Sequence, residues 1–333
     1  MRLATQIYNF FSINSAVVAM NVSGQSSVTP KSLGDFIKEN IEQVGELFAL
    51  SGICHRLIDA KLMMKAGTHF IGSPPLNECF YSIGYDSQFI EYGICDFIAF
   101  GFPYIRSHFV NSVRAIVVET ANNDLSIGTA FLHKSRCLVT AAHCVRNMRK
   151  IEIRGWNSSI APLQDIFVSV DEQCDLAVLR FTNDPFPNIP GFDLETSQIL
   201  DDVLVMGFPP IPGFETTLTS ESAQIAGHIQ STGGQLVASS KSFLDKQDYL
   251  LVSARVKGGN SGGPVINRRG KVIGVVAGSP SGANGELDSL GYGAAVPSAV
   301  LSDLLWKANL GSAEIRRVPF ERIPSGFKTL PFE

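Results

Sequence analysis

A serine hydroxyl becomes a useful nucleophile only beside a base, and the charge it creates on a carbonyl oxygen needs hydrogen-bond donors. The run Gly258-Gly-Asn-Ser-Gly-Gly-Pro264 supplies a serine and the means to surround it. Flanking glycines let the backbone turn tightly and aim successive N–H groups into one cavity. Ser261 is therefore the candidate nucleophile, and the amides of Gly259 and Ser261 are the candidate oxyanion donors. A plain hairpin turn has the same composition, so the run alone leaves both readings open. The candidate base lies in Thr140-Ala-Ala-His-Cys-Val145, where His143 follows the apolar Cys137-Leu-Val among residues too small to crowd an imidazole. A core histidine with a backbone partner is the competing reading, and the preferred one for His55, His69, His108, His133 and His228. Cys174-Asp-Leu-Ala-Val-Leu-Arg180 completes the set. An aspartate at the head of a strand accepts the imidazole's second N–H, fixes the tautomer and stabilises the imidazolium. Asp165 and Asp171 are nearby rivals, but Asp175 alone heads the apolar run Leu176 to Leu179.

Together these motifs, in the order His, Asp, Ser, resemble those of the trypsin-like serine proteases. That resemblance implies a mainly β fold: a chymotrypsin-like double six-stranded β-barrel closed by a C-terminal helix. The separations of 32 and 86 residues leave room to spread the three over two barrels. Gly128-Thr-Ala-Phe resembles the strand before the histidine. Met206-Gly-Phe-Pro209 with Gly227, and Ala294-Ala-Val-Pro-Ser298, are similar to segments of the HtrA/Deg branch. Gly274-Val-Val-Ala-Gly278 resembles the strand that holds an extended substrate, which makes Ala277, Gly278 and Ser279 candidate substrate contacts. The resemblance covers residues 107–310, the expected protease domain, between an N-terminal extension at 1–106 and an extended tail at 311–333. It implies a serine endopeptidase acting on a polypeptide substrate with no cofactor and no metal. A catalytically silent binding or scaffolding protein on the same fold is the alternative, and the presence of all three triad residues weighs against it.

Departures from the trypsin pattern carry expectations of their own. Asn260 stands where trypsins have an aspartate that a freed N-terminus neutralises, so no activation by N-terminal cleavage is expected. Six residues before Ser261, where trypsins carry an aspartate for basic side chains, this chain has Arg255. In that register Arg255 disfavours basic residues and leaves acidic or small apolar side chains; a solvated surface arginine is the other reading. Cys144 follows the histidine, as in trypsins that form a disulfide there, yet the partner position near Gly128 holds no cysteine. A missing disulfide favours a reducing compartment or a fold that does not need the bond. Too few residues follow the terminal helix for the PDZ module of the HtrA/Deg enzymes, and none is expected in this chain.

The elements that must position these residues change character along the chain. Residues 30–66 carry helical spacing in Phe36, Ile37, Ile41, Val44, Leu47 and Phe48, broken at Ser51-Gly52 and resumed from Ile53 to Ala66. Ten aromatics fall within residues 79–109, which reads as an aromatic core before an exposed recognition surface. From Val113 short β-branched runs alternate with glycine turns, the texture of a barrel or sandwich. A last helix is expected from Ser298 as N-cap.

Composition sets the outer limits. The 333 residues are 45% hydrophobic and 17% charged, enough apolar chain for two domains or one with an extension. A net charge of −4, without a basic run, excludes a nucleic-acid backbone as partner. Six cysteines without a CxxC pair exclude structural zinc. No integral membrane segment is expected, because no apolar run reaches the length of a span. Polar residues such as Gln6, Asn9 and Ser12 interrupt the first twenty positions. The chain is therefore expected in the cytoplasm, with the periplasm or secretion following only if its N-terminus acts as a signal. The sequons at Asn21 and Asn157 matter only in that second case. Residues 1–106 are the expected place for a regulatory partner or a homo-oligomer contact.

Overall fold

A computed structural model describes residues 2–13, 17–20, 26–40, 47–84, 87–120, 122, 124–209, 215–220, 223–226, 229–241, 247–278 and 291–321. Ser279, Gly227, His228 and Asn21 lie outside the described residues. The chain divides into two compact units, Met1–Ile105 and Arg106–Glu333. Among the described residues no helix is long and apolar enough to cross a membrane.

The first unit runs α1 (Leu3–Phe10), β1 (Val17–Met20), β2 (Ser26–Thr29), β3 (Lys31–Ser32), α2 (Leu33–Glu39), α3 (Leu47–Asp59), β4 (Met63–Thr68), β5 (Glu78–Ser82), α4 (Ser87–Tyr92) and α5 (Ile94–Phe109), the last crossing the boundary. Helix α2 starts where a capping box satisfies two orphan amides: Asp35 N donates to Ser32 Oγ, and Ser32 N to Asp35 Oδ2. Helix α1 starts on the buried carboxylate of Asp96, which accepts from Ala4 N at 3.0 Å and Thr5 Oγ1 at 2.5 Å. Between these helices and the sheet β3–β5–β4 lies an aromatic core of Phe11, Phe36 and Phe80.

Two helical expectations are corrected here. Ser51 and Gly52 do not break α3; both lie inside it, with Ser51 buried. The helix does not resume to Ala66, because Lys61 at φ 61° and the bond from Leu62 N to Leu57 O end it, and Met63–Thr68 is strand. Leucine and methionine at helical spacing past that stop are buried by the turn and β4 instead. Of the aromatics at 79–109, Phe80, Phe97 and Phe109 are fully buried, as a core requires.

In the second unit, strands β6 (Val113–Thr120), β7 (Leu125–Leu132), β8 (Leu138–Thr140), β9 (Met148–Ile153), β10 (Leu163–Ser169) and β11 (Ala177–Phe181) build the first sheet. Next come β12 (Asp202–Gly207), the hairpin β13 (Glu215–Ser220) and β14 (Ala223–Ala226), then β15 (Gln230–Lys241), β16 (Asp248–Val252), β17 (Pro264–Asn267), β18 (Val272–Gly278) and β19 (Gly293–Pro297). Helix α6 (Ser298–Leu310) and β20 (Ile315–Arg317) finish the unit. Strands β12-β15-β16-β19-β18-β17 close into a six-stranded barrel around Val203, Val205, Leu236, Val252, Ile273 and Val276. Closure leaves no strand edge unpaired, and each such buried side chain contributes about 1.5–3 kcal/mol.

The first sheet is ordered β20-β10-β11-β8-β7-β6-β9 over a core containing Ile116, Leu132, Leu138, Ile166 and Leu179. It has the six expected strands plus a seventh. Strand β20 comes from the segment expected as an extended tail and pairs Arg317 with Phe167, while Val318 behind it is buried. The architecture is that of a chymotrypsin-like fold, mainly β with a closed barrel and a half-barrel sheet. One cap differs from expectation. Pro297, not Ser298, is the N-cap of α6, and the Ser298 hydroxyl donates to Glu195 O at 2.7 Å. Proline has no N–H to satisfy and its fixed φ suits the helix entry, which frees the serine for a tertiary bond.

Candidate active site

Strand pairing explains how residues 32 positions apart meet. Strands β8 and β11 are antiparallel with Ala177 opposite Thr140. Two residues further out that register sets Asp175 beside the short 3-10 turn Ala142–Cys144 that ends β8. One carboxylate then holds His143 twice. Asp175 Oδ1 accepts from the His143 backbone N at 2.8 Å, and Oδ2 lies 2.7 Å from Nδ1. Nε2 is the ring nitrogen that Asp175 does not hold. The Asp175 hydrogen bond is the main reason that His143 is raised above the ordinary imidazole value of 6.5; the contact with Cys144 adds to it and burial opposes it. Arg146 steadies the loop from the other side, its Nη2 donating to the carbonyls of Glu172 and Cys174.

The rival groups are occupied elsewhere. Asp171 accepts from Gln173 N in a turn, and Asp165 pairs with Arg317 at 3.4 Å. His133 is buried against Ser135 and pushed down to about 4 by burial, so it is a neutral core histidine.

Ser261 is carried on the loop that enters β17, and β17 is fixed because Val265 pairs with Val205 of β12. Thr129 of β7 joins this loop to the first sheet. Its N donates to Ser261 O at 2.9 Å, its hydroxyl donates to Gly259 O at 2.6 Å and accepts from Phe208 N, and its carbonyl accepts from Thr140 Oγ1. Gly262, at φ +83°, sits so close that a Cβ there would lie 2.2 Å from Thr129 O and 2.8 Å from Ala141 N. Only glycine lets the nucleophile loop approach the strand that leads to His143. Gly259 has φ +86°. With Gly259 O and Asn260 N both engaged, the Gly259 and Ser261 amides donate to no acceptor among the described residues. Two free N–H groups flanking a nucleophile can receive an oxyanion. Among the described residues no hydrogen bond joins the Ser261 hydroxyl to His143; in substrate-free sites such bonds are often long.

Ala277 and Gly278 end β18. Val276 exchanges bonds with the nucleophile loop, N to Gly263 O at 2.9 Å and O from Gly262 N at 2.7 Å. Pairing with β17 ends at Val275, which leaves that side of β18 open beyond it, and a register shift between Val276 and Gly278 sets Gly278 opposite Ala294 of β19. An extended peptide can add to such an edge. Arg255 is exposed and lines a cavity of about 380 Å³ with Lys257, Gln230, Ser231 and Thr232. Thr129 and Arg146 were not singled out from sequence. A threonine in a strand and an arginine after a histidine read as ordinary residues until their partners, far along the chain, are known.

All six cysteines are thiols. A Cβ placed at Gly128 would lie 2.9 Å from Cys144 Sγ, so that pair is where the absent disulfide would form.

Residues 128–275 match the family model of the trypsin-like peptidase domain. The chain is similar to a probable periplasmic serine endoprotease, DegP-like, of Rickettsia conorii, 29% identical over 185 residues that make up 54% of this chain and 33% of the relative. It is also similar to the serine endoprotease DegS of Haemophilus influenzae, 27% identical over 56% of this chain and 50% of the relative. The chain thus spans a third to a half of the length of these relatives, whose names carry the HtrA/Deg branch expected from the motifs. The active form of a protease from M. tuberculosis is a solved structure similar to 67% of this chain and 87% of its own, at 21% identity and a TM-score of 0.47.

Proposed function

We propose that this chain, which carries a trypsin-like peptidase domain, is a serine endopeptidase working through His143, Asp175 and Ser261. The reading rests on one observation: a single carboxylate fixes both the backbone and the Nδ1 of His143, leaving Nε2 as a base. Ser261 Oγ attacks the scissile carbonyl as His143 takes its proton. The amides of Gly259 and Ser261 hold the oxyanion. His143 then gives the proton to the leaving amine, and water, deprotonated by the same ring, releases the acyl group and restores the serine. The substrate lies along β18 at Ala277, Gly278 and, beyond the described residues, Ser279.

The first unit has its own buried core and is proposed as a regulator of the second, through a partner or a second copy. Two further proposals concern maturation and place. Asn260 gives a freed N-terminus no charge to neutralise, so the first unit stays attached to the second in the active protein. The cytoplasmic expectation finds no support among the relatives, one of which is named as periplasmic, and an exported location is proposed instead.

Labelling with a fluorophosphonate probe tests the chemistry. The full chain takes up one label, at Ser261, and Ser261→Ala takes up none. Label on the Ser261→Ala protein would move the nucleophile elsewhere, and an unlabelled full chain would favour the silent scaffold.

A further inference from the structure

The second barrel carries a concentration of positive charge close in sequence to the amides of Gly259 and Ser261. Arg255 and Lys257 line the 380 Å³ cavity, and its other lining residues, Gln230, Ser231 and Thr232, come from the start of β15. Arg106 adds a third cation by donating from Nε to Ser231 Oγ at 3.1 Å. Among the described residues none of the three meets a carboxylate, whereas Arg268, Arg269 and Lys271 of the same barrel each do. A tight backbone turn ties the cavity's lining to the candidate site: Lys257 O accepts from Asn260 N at 3.0 Å, and Gly259 and Ser261 flank that asparagine. Thr232 Oγ1 donates to Arg255 O and fixes the backbone that bears the guanidinium.

Every charged group lining this cavity is a donor. A guanidinium offers paired N–H groups that match a carboxylate, and ammonium, hydroxyl and amide donors complete the set. The volume falls in the range of about 300–1,000 Å³ typical of ligand pockets. We infer that the cavity is a specificity pocket for a carboxylate, and that the substrates are polypeptides presenting aspartate or glutamate to it. This rests on the proposed endopeptidase reading and names its substrate class.

The test uses the full chain as Ser261→Ala, so that bound peptide is not consumed. Labelled peptides with amidated C-termini differ at one central residue, Glu, Asp, Ala or Lys, and binding is read by fluorescence anisotropy. Glu and Asp peptides are expected to bind about tenfold or more tighter than the Ala peptide, with the Lys peptide weakest. That gap collapses in Arg255→Glu and in Lys257→Glu, and Arg255→Lys retains part of it. Both positions are exposed, and the thermal midpoint of each variant shows that it is folded. Equal binding of the four peptides, or a gap that survives both charge reversals, overturns the inference. Free glutamate distinguishes the source of the carboxylate. Competitive displacement of the Glu peptide supports a substrate pocket, and glutamate binding alongside it would mark a separate effector site and overturn it. Because the readout is binding, failure of fluorophosphonate labelling on the unsubstituted chain would sink the catalytic reading without touching this result.

Discussion

At the scale of single residues, His143 as the proposed base should set the pH dependence. A base must be unprotonated to act, and the Asp175 hydrogen bond raises His143 above 6.5. Activity should therefore rise with pH as the ring loses its proton, with the acid limb of kcat/KM above 6.5. Asp175→Asn should move that limb down towards the ordinary value and lower kcat by about 10⁴-fold. A limb that stays in place would show that another group controls the titration. Thr129 acts through the loop and not on the substrate. Thr129→Val keeps the shape but leaves Gly259 O and Phe208 N without their partner, at about 1–3 kcal/mol of stability. Its expected signature is a fall in kcat with little change in KM, smaller than the factor of about 10²–10³ for losing an oxyanion donor outright. Equal loss in both parameters would mean that the residue only stabilises. Gly128→Cys tests the neighbourhood of Cys144. Mild oxidation should form a disulfide, seen by mass spectrometry as the loss of two hydrogens, because an S–S bond of about 2.04 Å fits the 2.9 Å approach.

At the scale of elements, α5 is interrupted at Gly101, whose φ of 69° and ψ of −161° belong to glycine, with Pro103 two residues on. Gly101→Ala should cost about 1–3 kcal/mol, read as a lower thermal midpoint. An unchanged midpoint would mean that the kink relaxes without strain. What the sequence disclosed about elements follows physical lines. Strands β6, β8, β11, β12 and β18 were legible because β-branched runs between glycine turns have few other uses. The proposed triad could be picked out from the sequence because each member sits in its own short motif. Helix α3 was misjudged at both ends of the argument: Ser51-Gly52 is tolerated in mid-helix, and the stop at Lys61 depends on a left-handed residue that no composition announces. Strand β20 was invisible because Ile315-Arg-Arg317 gains its meaning only from β10. Thr129 was invisible for the same reason, its partners lying 79 and 130 residues away.

At the scale of the whole molecule, two compact units meet a single proposed activity in one of them. N-terminal sequencing of fluorophosphonate-labelled protein should return a terminus that keeps the first unit attached to the second. A fresh terminus near residue 105 would overturn the proposal that the first unit stays attached. The pairing of β20 with β10 has a consequence in time. The sheet that carries His143 and Asp175 is bordered by a strand that follows every other described strand of the unit in the chain, and contacts so distant in sequence form slowly. A nascent chain halted anywhere in α6 would hold the three side chains of the proposed triad yet leave the edge of β10 bare. Strand β20 thus acts as a completion mark, and the first sheet acquires its outer border only after α6 has been made.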